Sequence, residues 1–204
     1  FHQRTLRIRA MKKPSTPSRQ PKSCKPQAVA RLAHFAGRNA MDIDTFSEKT
    51  AELLYDRLGV RDCADLYHLT ANDLLPLDGF QQKRAENLIA ALDKSRHCAL
   101  DAFLFALGIP NVGRKTARDL AQRFGSLDKL KAATIEELTA IPDVGDIVAT
   151  SVVEFFSFPE NLEMIRRLLE AGVTPQHESD TLSDALAGKT VVVIAHRLAT
   201  VEAS

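Results

Sequence analysis

A short turn recurs along this chain at a fixed interval, and the recurrence limits the possible folds more than any single motif does. Asp78-Gly79-Phe80-Gln81, Pro110-Asn111-Val112-Gly113 and Pro142-Asp143-Val144-Gly145 place Gly79, Asn111 and Asp143 in register, 32 residues apart. Leu77, Ile109 and Ile141 precede the three turns, and Ala85, Ala117 and Ala149 follow them. A fainter copy stands 34 residues upstream in Ile43, Thr45, Phe46, Ser47 and Ala51. The stretch from Thr70 to Phe80 also matches that from Thr134 to Val144 at an offset of 64, so the units alternate. Repetition at this period is the signature of a tandem array of one small unit.

The unit is helical. Val29, Leu32, Ala33, Phe35 and Ala36 recur at helical spacing until Gly37, which predicts a first helix over 28–36. The same reading predicts helices over 48–58, 81–95, 100–107, 114–124 and 146–156, with shorter ones between. A last amphipathic helix is expected over 160–171, with Leu162, Ile165, Leu168 and Leu169 on one face. Gly108, Gly125 and Gly172 follow apolar helical runs and suit C-caps, where a positive φ is needed. Ser126, Thr134 and Thr70 suit N-caps, and Thr134 with Glu137 makes a capping box. The fold class expected is therefore mainly α.

Charge is distributed unevenly. The chain of 204 residues has a net charge of +1, but its first 41 residues hold ten Lys or Arg and no acid. Residues 42–204 are therefore acidic by nine charges, so any nucleic-acid contact there must come from geometry and a few placed cations. Residues 1–27, with four of the nine prolines and no apolar periodicity, read as a disordered basic tail. The three cysteines Cys24, Cys63 and Cys98 form no CxxC pair, which speaks against a zinc or redox site. No carboxylate pair or nucleophile constellation marks a catalytic centre. No apolar run reaches the ~20 residues of a membrane helix and no secretory leader is recognisable, so the expected location is cytoplasmic.

The turns carry a specific chemistry. In Ile109-Pro-Asn-Val-Gly113 followed by Arg114-Lys115-Thr116-Ala117, the valine plugs the gap between two helices. The glycine lets backbone approach a partner and adopt a positive φ. The N–H groups of the next helix then offer an anion site that holds a phosphate without reading bases. This is the pattern of the helix-hairpin-helix motif. Asn111, Gly113, Arg114, Lys115 and Thr116 form the strongest candidate site. Gly79, Gln81, Lys83 and Arg84 make a second one, in which Gln81 replaces the expected glycine. Gly145 marks a third, weakened by Asp146. The copy at Thr45 and Ser47 is expected to be structural.

Five segments identify a resemblance: Arg31-Leu-Ala-His-Phe-Ala, Asn39-Ala-Met-Asp-Ile-Asp, Leu104-Phe-Ala-Leu-Gly-Ile-Pro-Asn-Val-Gly, Phe124-Gly-Ser-Leu and Ile141-Pro-Asp-Val-Gly. Over about 24–174 the chain resembles the C-terminal half of bacterial NAD-dependent DNA ligases. The resemblance implies a four-motif helix-hairpin-helix domain that grips duplex DNA through the minor groove around a nick. In that family the domain lies between a zinc finger and a BRCT domain. Adenylation and OB domains are the implied partners, NAD and magnesium the implied cofactors of the parent, and a nucleoid-associated location follows. The Lys-x-Asp-Gly tetrapeptide of the adenylation domain is absent, so this chain is not expected to ligate alone and holds no cofactor itself. Only Cys24 stands where a zinc ligand is expected, leaving a remnant within 1–27.

The domain reading is a tail over 1–27, a helix-hairpin-helix domain over 28–175, a linker over 176–188, and a truncated or divergent BRCT-like segment over 189–204. Leu186-Ala-Gly-Lys-Thr-Val-Val-Val resembles an opening BRCT strand, and 190–195 is the one strand predicted. Ile194-Ala-His-Arg-Leu-Ala-Thr-Val resembles the switch-histidine segment of ABC ATPases. The phosphate loop such a His196 serves is absent, because Ser183 replaces its first glycine and a strand follows Gly188-Lys189-Thr190. Two other readings stay open: a non-catalytic structural or protein-interaction scaffold, and the helix-hairpin-helix tail of an excision-repair nuclease subunit.

Overall fold

A computed structural model describes residues 24–177. Most of the basic tail, the BRCT-like segment with its 190–195 strand, and His196 lie outside the described residues.

Helix α1 (Lys25–Ala36) begins three residues before its predicted start. Pro26 opens it rather than ending a linker, because a proline in the first helical turn gives up an N–H that has no partner there anyway. Helix α2 (Glu48–Leu58) ends on Gly59 at φ 70°, and a 3₁₀ helix over Cys63–His68 is capped reciprocally by Asp62 and Asp65. Then come α3 (Ala71–Leu74), α4 (Gln82–Ser95), strand β1 (His97–Ala99), α5 (Leu100–Ala106) and α6 (Arg114–Phe124). Helices α7 (Leu127–Lys131), α8 (Ile135–Thr139), α9 (Asp146–Ser157) and α10 (Pro159–Glu170) lead to strand β2 (Thr174–Gln176). The mainly α class is what the sequence predicts.

Local chemistry sets most boundaries as read. Gly108, Gly125 and Gly172 take φ of 66°, 68° and 90°. The Ser126 hydroxyl accepts from the Lys129 N–H, and Thr134 and Glu137 cap each other. Thr70 differs in detail: its N–H and its hydroxyl both donate to the Asp73 carboxylate, at 2.8 and 2.6 Å.

The repeat becomes four helix pairs, α1 with α2, α3 with α4, α5 with α6, and α8 with α9. Ala51, Ala85, Ala117 and Ala149 are all fully buried, because each sits where the second helix of a pair crosses the first. Ile43, Leu77, Ile109 and Ile141 are buried beside them, as are Phe80, Val112 and Val144; Phe46 is only partly covered. Helix α1 also packs on α5, so one continuous core runs through the array. Leu32, Phe35, Leu54, Leu88, Phe103, Leu120 and Leu138 lie in it with almost no exposure.

Helix α10 closes the array against α9 and the 3₁₀ helix. Its predicted apolar face is narrower than expected: Ile165 and Leu168 are buried, while Leu162 and Leu169 lie at the rim. Arg167 on α10 spans back to Asp62 and Asp65, each at 2.6 Å. Phe155 and Phe156 stack edge to face in the core, whereas Phe158, at the N-cap of α10, is half exposed. The two strands pair in parallel, His97 with Thr174 and Ala99 with Gln176, and tie the end of α10 to the α4–α5 junction.

Candidate nucleic-acid interface

The four turns share one backbone. Thr45, Gly79, Asn111 and Asp143 take φ of 65°, 77°, 62° and 66°. In each, the N–H of the next residue donates to the carbonyl three back: Phe46 to Ile43, Phe80 to Leu77, Val112 to Ile109, Val144 to Ile141. The first bond of each second helix is also the same, from Ala51, Ala85, Ala117 and Ala149 to the carbonyls of Ser47, Gln81, Gly113 and Gly145.

This corrects the role assigned to glycine. The left-handed residue is the turn residue, two positions before the Val-Gly glycine. Gly113 and Gly145 are extended N-caps, at φ −87° and −90°, a conformation open to any residue. A Cβ added to either would meet nothing within 4 Å. Neither the backbone nor the interior demands glycine there. What an absent side chain does provide is close approach from outside, to a helix end whose first-turn N–H groups have no intrahelical acceptors.

The N-cap chemistry separates the copies. Ser47 accepts from the Thr50 N–H at 3.2 Å and so spends part of the donor set of α2. Gln81, Gly113 and Gly145 make no side-chain cap bond, which leaves the N-termini of α4, α6 and α9 open to an outside anion. The partial positive charge of a helix N-terminus adds to that preference.

The predicted cations stand in different situations. Arg114, on α6, lies 3.0 Å from Asp101, and Arg118 reaches the same carboxylate at 3.8 Å. The buried Arg114 Nη1 is badly aligned for a hydrogen bond there, so the contact is an ion pair. Arg84 folds over its own turn: it donates to the Gly79 carbonyl at 2.9 Å, covers the Phe80 ring at 4.4 Å and reaches Thr50 at 3.4 Å. Lys83 is exposed and makes no ion pair among the described residues. Lys115 is ion-paired with Asp143 of the next turn; this carboxylate holds the Lys115 ammonium above its usual pKa, and Lys115 holds Asp143 below the carboxylate range. Thr116, half-buried, completes the first turn of α6.

The third and fourth hairpins are linked reciprocally. Asn111 donates to Ser151 at 2.8 Å, while Asp143, its equivalent 32 residues on, takes Lys115. An open groove of about 490 Å³ lies between them, lined by Lys115, Asp119, Gln122, Arg123, Pro142 and Asp143 among others. Sequence reasoning missed Asp101, Asp143 and Ser151 as partners, because each lies on another element. Position 143 alone had a signal, since Gly79, Asn111 and Asp143 are residue types that tolerate the left-handed region.

His34 rests on Phe105 with centroids 4.8 Å apart and its Nε2 2.7 Å from the Phe105 carbonyl. Burial pushes the thiols of Cys63 and Cys98 up to about 12. Among the described residues no group of three or more His, Cys, Asp or Glu could hold a metal, and no helix is long and apolar enough to cross a membrane.

Four hairpins on one backbone, three of them ending in an uncapped helix, define a helix-hairpin-helix array. Residues 102–165, which span the third and fourth hairpins, match the helix-hairpin-helix motif family. The particular relatives are DNA ligases. The chain is 54% identical over 171 residues to the DNA ligase of Clostridium perfringens, a match over 83% of this chain and 26% of the relative. It is 51% identical over 172 residues to the DNA ligase of Alkaliphilus metalliredigens, and 48% over 171 residues to DNA ligase 2 of Clostridium acetobutylicum. Those matches cover 84% and 83% of this chain, and again 26% of the relative. The resemblance read from the motifs therefore holds: this helix-hairpin-helix chain is similar to one segment of the DNA ligases and spans about a quarter of the length of the curated relatives it matches.

Proposed function

We propose that this chain binds duplex DNA without reading its sequence, as the DNA-gripping segment of an NAD-dependent DNA ligase in replication and repair. The observation that carries the reading is the pair Gly113 and Gly145, glycines that neither φ nor packing requires, each at an uncapped helix N-terminus. A phosphate oxygen meets the first-turn N–H groups of α6 from the open side of Gly113, and the ammonium of Lys115 supplies the charge. A similar contact at α9 from Gly145 is weaker, because Asp146 opposes an anion. At α4 the Gln81 side chain narrows the approach and Lys83 compensates. Backbone donors of this kind position a duplex and carry no base information.

The ligase relatives favour this reading over that of an excision-repair nuclease tail. Contact through the minor groove on both sides of a nick, nucleoid association, and adenylation and OB domains as neighbours belong to the same proposal. NAD and magnesium would serve those domains, and this chain contributes grip and orientation to the joined ends.

The test is the affinity of the chain for a nicked duplex against salt. Two or three phosphate contacts predict a slope of about −2 to −3 in log affinity against log salt. A flat slope, or the absence of duplex binding at low salt together with a stable protein partner, would favour the scaffold reading.

A further inference from the structure

We propose that Asp143 is a built-in stand-in for a DNA phosphate: it holds Lys115 at the groove between the third and fourth hairpins and yields it when the duplex arrives. The inference rests on the DNA-binding reading above and concerns how that site is regulated.

Lys115 is the second residue of α6, beside the uncapped N-terminus that makes the strongest candidate phosphate site. Its ammonium is paired with a carboxylate from the neighbouring hairpin. A carboxylate oxygen and a phosphate oxygen ask the same of an ammonium, so the two compete for one cation.

The backbone does not explain the acid. Residue 143 must tolerate φ 66°, but the equivalent residue of the third hairpin does so as Asn111 at φ 62°. Asn111 uses its side chain for a neutral bond to Ser151, so the fold is served by an amide at one turn and carries a carboxylate at the other. Both Lys115 and Asp143 are 73% exposed, and a pair so open to water is weak and exchanges readily.

Selectivity follows from this arrangement. A single small anion must displace Asp143 on its own merit, and the exchange gives it little. A duplex brings phosphates to α4 and α9 at the same time, and those contacts make the exchange favourable at α6. Asp119 lines the same groove and also attracts Lys115, so the cation stays at the groove in the empty state. Asp143 is thus a positioning residue acting through Lys115.

The experiment uses the whole chain, a nicked duplex of about two helical turns, and inorganic phosphate as the small-anion probe. Asp143→Asn keeps the turn, since asparagine already serves at position 111, and an unchanged melting temperature confirms it. At low salt D143N is expected to bind the duplex roughly threefold more tightly, the scale of one exposed ion pair. The gain should disappear in a Lys115→Gln background, whereas any gain from Asp146→Asn, which relieves the anion contact at α9 without touching Lys115, should survive there. Protection of the groove by inorganic phosphate, absent in the parent, should emerge in D143N.

Unchanged or weaker duplex binding by D143N would overturn the proposal. So would a gain that persists in K115Q, since it would reflect general loss of negative charge. Failure of the parent chain to bind duplex at any salt would overturn the DNA-binding reading itself, a result distinct from the others.

Discussion

The first and third hairpins have the same backbone and opposite chemistry. Thr45 and Asn111 both take a left-handed turn, Ala51 and Ala117 are both fully buried, and the turn bonds coincide. They differ at the N-cap, where Ser47 satisfies a donor of its own helix and Gly113 satisfies none. The difference teaches that the hairpin is an architectural unit first. In the proposed reading it becomes an anion site only where the N-cap side chain is absent and the donors are left for something outside.

The shared architecture can be broken at its buried alanines. Ala117→Leu and Ala51→Leu force a side chain into a crossing with no free volume, and each should cost on the order of 3 kcal/mol in denaturant unfolding. A large cost at one and none at the other would show that the two hairpins are not equivalent.

The next effect lies outside the hairpins, at the clasp that closes the array. Burial alone would raise the Asp65 pKa, but Arg167 and the N–H groups of Arg61 and Asp62 outweigh it and hold the carboxyl below its ordinary value. A depressed folded pKa means that the stabilisation is full above the unfolded value, ~3.9, and is lost as pH falls through the folded one. Stability should therefore decline in acid below about pH 4, and Asp65→Asn should flatten that decline. With the pair about a third exposed, Arg167→Ala is expected to cost about 1–2 kcal/mol at neutral pH, screening included.

Smaller changes sharpen the comparison at the caps. Ser47→Ala should lower stability by about 1 kcal/mol, the worth of an N-cap bond, and leave duplex affinity unchanged. Thr45 is a β-branched residue in the left-handed region, which is sterically unfavourable. Thr45→Asn should therefore stabilise the chain by about 0.5 kcal/mol, measured by thermal melting. A loss of DNA binding with either variant would contradict the structural role given to the first hairpin.

The sequence carries the array legibly because the features that build it are local and repeated. Turn residues, caps and alanines recur at one spacing, and helices α2 and α6 fall where the pattern puts them. What escaped is non-local. Strands of three residues, one with Pro175 at its centre, have no alternation to read and exist only because α10 delivers Thr174 to the Arg96 carbonyl. The pairings of Arg114 with Asp101 and Lys115 with Asp143 join separate helices, so the sequence shows the cations without their partners. The glycine error has a related cause: Val-Gly looks like the turn itself, whereas the register of Thr45, Gly79, Asn111 and Asp143 shows where the chain reverses hand.

The most direct test converts the third hairpin into the first. Gly113 has the extended backbone of an N-cap and open space around a Cβ, so Gly113→Ser should fold and cap α6. Thermal melting and nicked-duplex affinity are measured on the same variant. The account predicts that they move in opposite directions, with stability up by roughly a few tenths of a kcal/mol and affinity down about tenfold as the serine takes the donor and blocks the approach. A serine variant that binds the duplex as tightly as the parent would contradict it.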